Sequence, residues 1–227
     1  MNKTKFRPIL FSTPMVQAIL ENRKTKTRRT KGLEFINEMP DNFRYDGINN
    51  EDDAYKGFYF FEYINTKYPP ETYAFVDPVM NVGDVLWVRE TFFDCEKFKQ
   101  SPLFSQEGNF IYKATNDFIG EHKWKPSLFM PKEACRIFLK VKSIKVERLQ
   151  DISEEDAKME GAKSYLKVDD MKKLKGLGNW IIPRPFSMYQ FGFLSIWCTI
   201  NGCESWLQNP FVFVYEFERI EKPLDFI

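Results

Sequence analysis

A short basic segment near the start of the chain holds residue types that could carry out acyl transfer: Lys24, Thr27 and Arg29. A threonine hydroxyl is a weak nucleophile at neutral pH, and it needs a neighbouring base that takes its proton. Lys24 could be that base, because surrounding positive charge and partial desolvation disfavour an ammonium group and lower its pKa. Arg29 would stay cationic and could hold a carbonyl oxygen, a phosphate or a carboxylate.

This chemistry sets a condition on the backbone between Lys24 and Thr27. Side chains three residues apart point to opposite faces of an extended strand, and they approach each other only across a turn or a helical end. The hypothesis therefore requires a turn at Lys24 and Thr25. In a continuous strand Thr25, Thr27 and Arg29 would share one face, and the nucleophile would lose its base.

The same segment is the strongest concentration of charge in the sequence. Six of the nine residues from Arg23 to Lys31 are basic, whereas the net charge of all 227 residues is only +1. Such a run is typical of a phosphate-binding patch in an RNA-binding module, and equally of a solvated basic loop. Charge alone leaves both interpretations open.

Local signals predict how the chain enters this segment. The residues from Arg7 to Phe11 are typical of a strand, and Thr13 with Pro14 predicts the N-cap and first turn of a helix that continues to Leu20. Asn22 is expected to end that helix, because asparagine tolerates the left-handed backbone found after many helices. The basic segment then starts at a helix end.

The remaining strands predict a small barrel. A turn at Gly83 leads into VLWVRE, Phe110 to Ala114 follows, and the long segment RIFLKVKSIKVERL changes its apolar parity, which predicts a β-bulge near Ser143. The segment FVFVYEFERI is expected to be a last strand whose aromatic face lies in the core. The predicted fold class is mixed α/β, with a central, mostly antiparallel barrel and a few short helices.

Two helices and two irregular stretches complete this prediction. Ser153 can cap a short helix that Gly161 ends, which places Glu160 in the last turn. An apolar helix is expected around 186–200. The stretches 31–80 and 162–185 have weak periodicity, and we interpret them as insertions in a single domain formed by residues 1–227.

Four further residues could contact a substrate. Arg89 and Glu90 end a barrel strand and could line a cleft. Trp124 and Lys125 lie in a loop that Pro126 stiffens, where they could stack on a nucleotide and neutralise its phosphate, or simply pack.

Composition narrows the classes of protein that remain. The four cysteines form no CxxC pair and His122 is the sole histidine, so we expect reduced thiols, no metal site and no cofactor. The sequence begins without a secretory signal and contains no run of about 18 apolar residues, as a membrane span would need. We therefore expect a cytoplasmic protein without membrane contact, and a monomer.

The order of these elements, together with one motif, resembles the ASCH family, whose fold is a PUA-related β-barrel. The family motif GxKxxExR aligns with NRKTKTRR at residues 22–29. Lys24 and Arg29 fit this motif, while Asn22 and Thr27 depart from it. The segments RPILFSTPMVQAIL, GDVLWVRETF and NPFVFVYEF are also similar to larger ASCH-like proteins of phage and prophage genomes.

The departure at Thr27 matches an ASCH subgroup that carries GRKTxTxR and hydrolyses the acetyl amide of acetylcytidine. That resemblance implies Lys24 as the base, Thr27 as the nucleophile and Glu160 as an assisting glutamate. The implied partner is a modified nucleoside or RNA. Three functions therefore stay open: an amidohydrolase, a non-catalytic RNA-binding module, and a phage-type accessory protein acting through protein contacts, which only the aromatic stretch 58–73 favours.

Overall fold

The computed structural model describes residues 4–51, 54–65, 72–95, 109–116, 121–164 and 186–226. The strands in these ranges are β1 (Phe6–Leu10), β2 (Lys26–Arg29), β3 (Phe43–Ile48), β4 (Tyr59–Tyr63), β5 (Tyr73–Val76), β6 (Val85–Arg89), β7 (Phe92–Asp94), β8 (Phe110–Tyr112), β9 (Phe138–Arg148) and β10 (Phe211–Ile220). The α-helices are α1 (Thr13–Leu20), α2 (Glu34–Glu38), α3 (Glu154–Met159), α4 (Met188–Asn201) and α5 (Cys203–Leu207).

The chain divides into two compact units that are each built from separate segments. Unit 1 comprises Met1–Thr25, Val82–Lys142 and Phe217–Ile227, and unit 2 comprises Lys26–Asn81 and Ser143–Glu216. Strands β9 and β10 run through both units. The single domain inferred from the sequence stays a prediction.

Unit 1 is organised around strand β6. This strand pairs in parallel with β1 and antiparallel with β9. Four consecutive residues, from Val85 to Val88, are buried, so both faces of the strand are covered and its pattern is continuously apolar. Gly83 takes a φ of 89° in the turn before it, as the sequence predicts. The core below β6 consists of Val85, Trp87, Phe92, Met130, Ala134, Cys135, Phe138 and Phe226.

Helix α1 follows the predicted course with a shift of one residue at its start. Ser12 occupies the N-cap position, so the prediction of Thr13 as the N-cap is wrong, and the Ser12 side chain makes no capping hydrogen bond. Pro14 lies in the first turn, where its missing N–H costs no helical bond. Asn22 has a φ of 57° and ends the helix as predicted.

Unit 2 contains the order β9-β10-β2, in which β10 and β2 are antiparallel. The stretch 31–80, interpreted above as irregular, contains α2 and the antiparallel sheet β3-β4-β5. Aromatic rings pack this sheet against β10: the centroids of Tyr59 and Phe213 are 5.4 Å apart, and those of Phe61 and Phe211 are 5.2 Å apart.

Helices α3, α4 and α5 pack in a second core of unit 2. Ser153 caps α3 by accepting the amide of Asp156 at 3.0 Å, as predicted, and Ser187 with Gln190 forms a capping box for α4. Gly192 of α4 lies so close to residue 163 that an added Cβ would be 2.3 Å from the Lys163 carbonyl oxygen. The buried members of this core are Leu149, Ile152, Ala157, Ala162, Phe193, Leu194, Trp197, Cys198, Trp206, Val212 and Val214.

Strand β9 changes its buried face where the sequence changes parity. Leu139 and Val141 are buried on one parity, and Val146 is buried on the other. The strand continues unbroken through Ser143, and the division between the two units falls beside that residue.

The coarse fold class agrees with the prediction. The described strands form mixed α/β architecture in mostly antiparallel sheets, with β1 and β6 as a parallel pair, and none of these sheets closes into a barrel. Most of the predicted insertion 162–185 lies outside the described residues. None of the described helices combines the length and apolar character needed to cross a membrane.

The cysteines differ from the expectation. Cys198 and Cys203 are joined in a disulfide, with their Cα atoms 4.4 Å apart, whereas Cys95 and Cys135 are buried and form no disulfide. Gly202 separates α4 from α5 with a φ of 80°, and this turn brings the two cysteines together. The spacing of the cysteines in the sequence did not reveal this disulfide, because the disulfide depends on where α4 ends.

Candidate functional site

Strand β2 presents two different chemical faces. Consecutive side chains of a strand point to opposite sides, so Lys26 and Arg28 share one face while Thr27 and Arg29 share the other. Both sides are covered, because Thr27 is 1% exposed and Arg28 is 3% exposed.

The Arg28 side chain is held by three carboxylates of unit 2. Its Nε donates to Glu147 Oε1 at 2.9 Å, its Nη2 to Asp156 Oδ2 at 2.7 Å, and its Nη1 to Glu160 Oε1 at 3.2 Å. The guanidinium carbon also lies 5.6 Å from the centre of the Phe193 ring on α4. Helix α3 and its C-cap residue Glu160 are thereby tied to β2.

Two lysines complete this charge cluster. Lys26 Nζ lies 2.7 Å from Asp156 Oδ1, and Lys145 Nζ lies 2.8 Å from Glu147 Oε2 and 3.1 Å from Asp156 Oδ2. We call Lys26, Arg28, Lys145, Glu147, Asp156 and Glu160 the Arg28 cluster. Its three cations balance its three carboxylates, which is how charged groups tolerate burial.

The cluster shifts the pKa of its buried members. Burial works against the charged form of Asp156, but hydrogen bonds from Lys26 and Lys145 and the charge of Arg28 outweigh it and hold the pKa of Asp156 well below its usual range. Burial likewise disfavours the Arg28 cation, yet Glu160 and Glu147 raise the pKa of Arg28 above its ordinary value. Both groups therefore stay charged at neutral pH.

This shift predicts how acid destabilises the protein. The pKa of Asp156 is lower in the folded than in the unfolded state. Its contribution to the free energy of unfolding is therefore fully present above the unfolded-state pKa, and it is lost as the pH falls through the folded-state pKa. Asp156→Asn should therefore remove up to about 1.4 kcal/mol per pH unit from the slope of unfolding free energy below about pH 4. Urea unfolding between pH 2 and pH 6 measures it.

The exposed Asp41 provides the matched control for this experiment. Asp41→Asn should leave the unfolding free energy within about 0.5 kcal/mol of the wild type. An unchanged acid slope in Asp156→Asn would show that the carboxylate does not carry the pH dependence assigned to it.

The opposite face of β2 carries hydroxyl and guanidinium groups. In the pairing with β10, Thr27 lies directly across from Tyr215, and Arg29 lies across from Phe213. Residues paired in this way have neighbouring side chains on the same face. We call Thr27, Arg29, Phe213 and Tyr215 the Thr27 face.

Burial governs the ionisation of the Thr27 face. It lowers the pKa of Arg29, while Glu160 and Tyr215 act in the opposite direction. It also raises the pKa of Tyr215 to about 12, so the phenol keeps its proton at neutral pH. On this face Thr27 therefore has two polar neighbours. They are the neutral phenol of Tyr215 on β10 and the partly desolvated guanidinium of Arg29 on β2.

Lys24 belongs to unit 1 and is 2% exposed. Its Nζ lies 5.4 Å from the centre of the Phe11 ring, and its amide donates to the Ala18 carbonyl at 3.0 Å. The predicted turn at Lys24 and Thr25 is wrong: the chain turns at Glu21 and Asn22, and regular strand begins at Lys26. The backbone condition set for the pairing of Lys24 with Thr27 is therefore not met at these residues, and Lys24 stays a base by resemblance alone.

Glu90 also lies in unit 1, where it is buried in an ion pair. Its carboxylate accepts two hydrogen bonds from Arg136, each 2.9 Å long. The Arg136 guanidinium in turn lies 3.9 Å from the centre of the Tyr112 ring. Arg136 and Tyr112 were not among the predicted residues. Through Arg136, Glu90 helps to hold unit 1 together.

The other three predicted contact residues of unit 1 are also engaged by neighbours. Arg89 lies 5.5 Å from the Trp87 ring and donates to the Leu128 carbonyl. Trp124 packs against the small core of Phe93, Cys95 and Ile111. Lys125 Nζ lies 3.4 Å from Asp94 Oδ2. Their role in binding a substrate stays a prediction.

A separate concave surface in unit 2 contains none of the predicted site residues. It has a volume of about 310 Å³ and is lined by Thr30, Glu34, Asn37, Glu38, Ser205, Gln208 and Pro210. Asn37 is fixed there by two hydrogen bonds with the backbone of Phe211, at 2.8 and 2.9 Å.

In the described part of the chain, no grouping of His, Cys, Asp and Glu is arranged to hold a metal ion.

Searches with family models, against curated proteins and against solved structures found no match to this chain. The resemblance to the ASCH family therefore stays a prediction.

Proposed function

We propose that this protein binds a nucleobase-type small molecule on the Thr27 face and hydrolyses an acyl amide on its exocyclic amine. The observation that carries the proposal is the register of β2 and β10, which puts the Thr27 hydroxyl opposite the Tyr215 phenol with Arg29 on the same face. Groups of this kind recognise the carbonyl and amide edges of nucleobases. The ASCH fold with its PUA-related barrel is part of the same proposal.

The ion pairs made by the basic residues of 23–31 favour a small neutral ligand over an RNA strand. Lys26 and Arg28 are neutralised within the Arg28 cluster, and Arg23 Nη2 lies 2.5 Å from Glu21 Oε2. Phosphate binding by RNA depends on cations that exchange solvent counterions for phosphates. Cations already paired with carboxylates contribute less to such binding.

In the proposed reaction the Thr27 oxygen forms a bond to the acyl carbonyl carbon. Lys24, assigned as base from the sequence pattern alone, takes the hydroxyl proton and returns it to the leaving amine as the C–N bond breaks. Water then cleaves the acyl ester of Thr27, which releases the carboxylic acid and restores the hydroxyl. Arg29 would hold the carbonyl oxygen.

Glu160 is connected to both faces of β2. Its carboxylate accepts a hydrogen bond from Arg28, and its charge also acts on Arg29 of the Thr27 face. We therefore propose that Glu160 holds β2 in place through Arg28 and orients Arg29 toward the substrate, in keeping with the assisting part that the resemblance implies.

The test is a screen of the purified protein against N4-acylated cytidines, with the mass of the nucleoside product as the readout. We expect loss of the acyl mass and release of one carboxylic acid per nucleoside. Binding without acid release would overturn the reaction and leave the binding site. RNA affinity that falls steeply with salt, by a log-log slope of about 0.7 per phosphate contact, would favour an RNA-binding module instead.

A further inference from the structure

The hydroxyl of Tyr215 is a buried polar group with unusual surroundings. Tyr215 is 0% exposed, and within the described residues its oxygen makes no hydrogen bond of normal geometry. The backbone N–H groups of Met80 and Val79 lie close enough to the phenol oxygen to affect its ionisation, but they are donors, so the hydroxyl hydrogen is left without an acceptor. Buried hydroxyls are nearly always hydrogen-bonded, and an unsatisfied one costs stability.

Phenylalanine would fill the same space without that cost, since it differs from tyrosine only by the hydroxyl. The neighbouring aromatic residue of β10 on this face, Phe213, shows that a plain phenyl ring is accommodated there. A side chain that lowers stability at a position where a better alternative fits is typical of functional sites.

We infer that the Tyr215 hydroxyl is a ligand-binding donor, which gives its hydrogen bond to a carbonyl oxygen of the molecule held on the Thr27 face. This inference rests on the proposed function and names one more binding residue for it. Its basis is geometric: Tyr215 lies directly across from Thr27 in the strand register, and the electrostatic influence of Arg29 reaches the phenol. The ligand class is a small neutral molecule with a carbonyl acceptor, as in a pyrimidine ring.

Access to the hydroxyl involves the segment that connects β5 to β6. The backbone at Val79 and Met80 lies beside the phenol oxygen, and an added Cβ on Gly32 would contact Val79 and Asp77 at 3.5 and 3.6 Å. Residues 77–80 therefore cover this end of the Thr27 face, and a ligand reaches Tyr215 only when they are displaced.

The deciding variant is Tyr215→Phe, measured by thermal unfolding and by calorimetric titration with cytidine and an N4-acylated cytidine. We expect the melting temperature to rise by about 3 °C, because an unsatisfied hydroxyl is removed. We expect the affinity for both nucleosides to fall about 10-fold, because their hydrogen-bond donor is lost. The combination of higher stability and weaker binding is the signature of a ligand donor.

Tyr59→Phe is the matched control. Its hydroxyl donates to the Ile144 carbonyl at 3.2 Å, so its removal should lower the melting temperature and leave nucleoside affinity unchanged. Unchanged affinity in Tyr215→Phe would overturn the inference, as would a lower melting temperature, which would reveal a protein partner for the hydroxyl. Wild-type binding of cytidine without hydrolysis would overturn the reaction alone, whereas no nucleoside binding would overturn both.

Discussion

Arg28→Met is expected to lower the free energy of unfolding by about 3–5 kcal/mol, because it removes the cation that compensates buried carboxylates. Lys26 and Lys145 would still reach Asp156 and Glu147, but Glu160, which is 3% exposed, would lose its 3.2 Å hydrogen bond to a cation. Chemical denaturation at neutral pH, with urea as the denaturant, measures the loss.

Three variants separate charge from packing in this experiment. Arg28→Lys keeps the charge but cannot reproduce three diverging hydrogen bonds, so it should recover only part of the loss. Adding Glu160→Gln to Arg28→Met should recover part of the loss, because the carboxylate that Arg28 contacted is then neutral. Lys31→Met, at an exposed position of the same basic run, should change stability by less than about 0.5 kcal/mol. A loss below about 1 kcal/mol in Arg28→Met would mean that Arg28 is not the main compensation of Glu160, whose charge also acts on Arg29.

Thr27→Ala is expected to lower kcat/KM for acylated cytidine by about 1000-fold or more, because nucleophile and base act as a unit. Thr27 is buried in β2. Its replacement by alanine removes a hydroxyl and a methyl group, and only the hydroxyl can react. Steady-state release of carboxylic acid measures the effect, with circular dichroism to confirm that the variant is folded.

The controls for this prediction come from the same segment. Thr25→Ala removes a nearby threonine that the proposal does not use, and it should keep full activity. Lys24→Arg keeps the positive charge but cannot accept a proton, so it should be as inactive as Lys24→Ala. Full turnover in Thr27→Ala would exclude the threonine as nucleophile and would point to an activated water.

The two expectations concern opposite faces of one short strand. The resemblance predicts Thr27 and Arg29 as site residues, whereas Arg28 between them donates hydrogen bonds to three carboxylates of unit 2. A change at either face is therefore expected to have a distinct signature. Loss of Arg28 should destabilise the fold, and loss of Thr27 should leave the stability nearly unchanged and abolish activity.

Elements with local signals were predictable from the sequence. The end of α1 at Asn22, the Ser153 cap of α3 and the last strand β10 all depend on residues within a few positions of one another. Caps and turns are decided by backbone conformations that single residues favour or forbid. The sheet within 31–80 was missed, because its aromatic strands are short and their stability depends on packing against β10.

The sequence by itself determined only which side chains would share a face if residues 26–29 formed a strand, since side chains in any strand alternate between two faces. Only the tertiary structure decided what each face meets. Arg28 binds Glu160, 132 residues later, and Thr27 meets Tyr215 through the register of β10. Such contacts depend on which strands and helices pack together, and that choice is made by the burial of the whole apolar core and not by any local pattern.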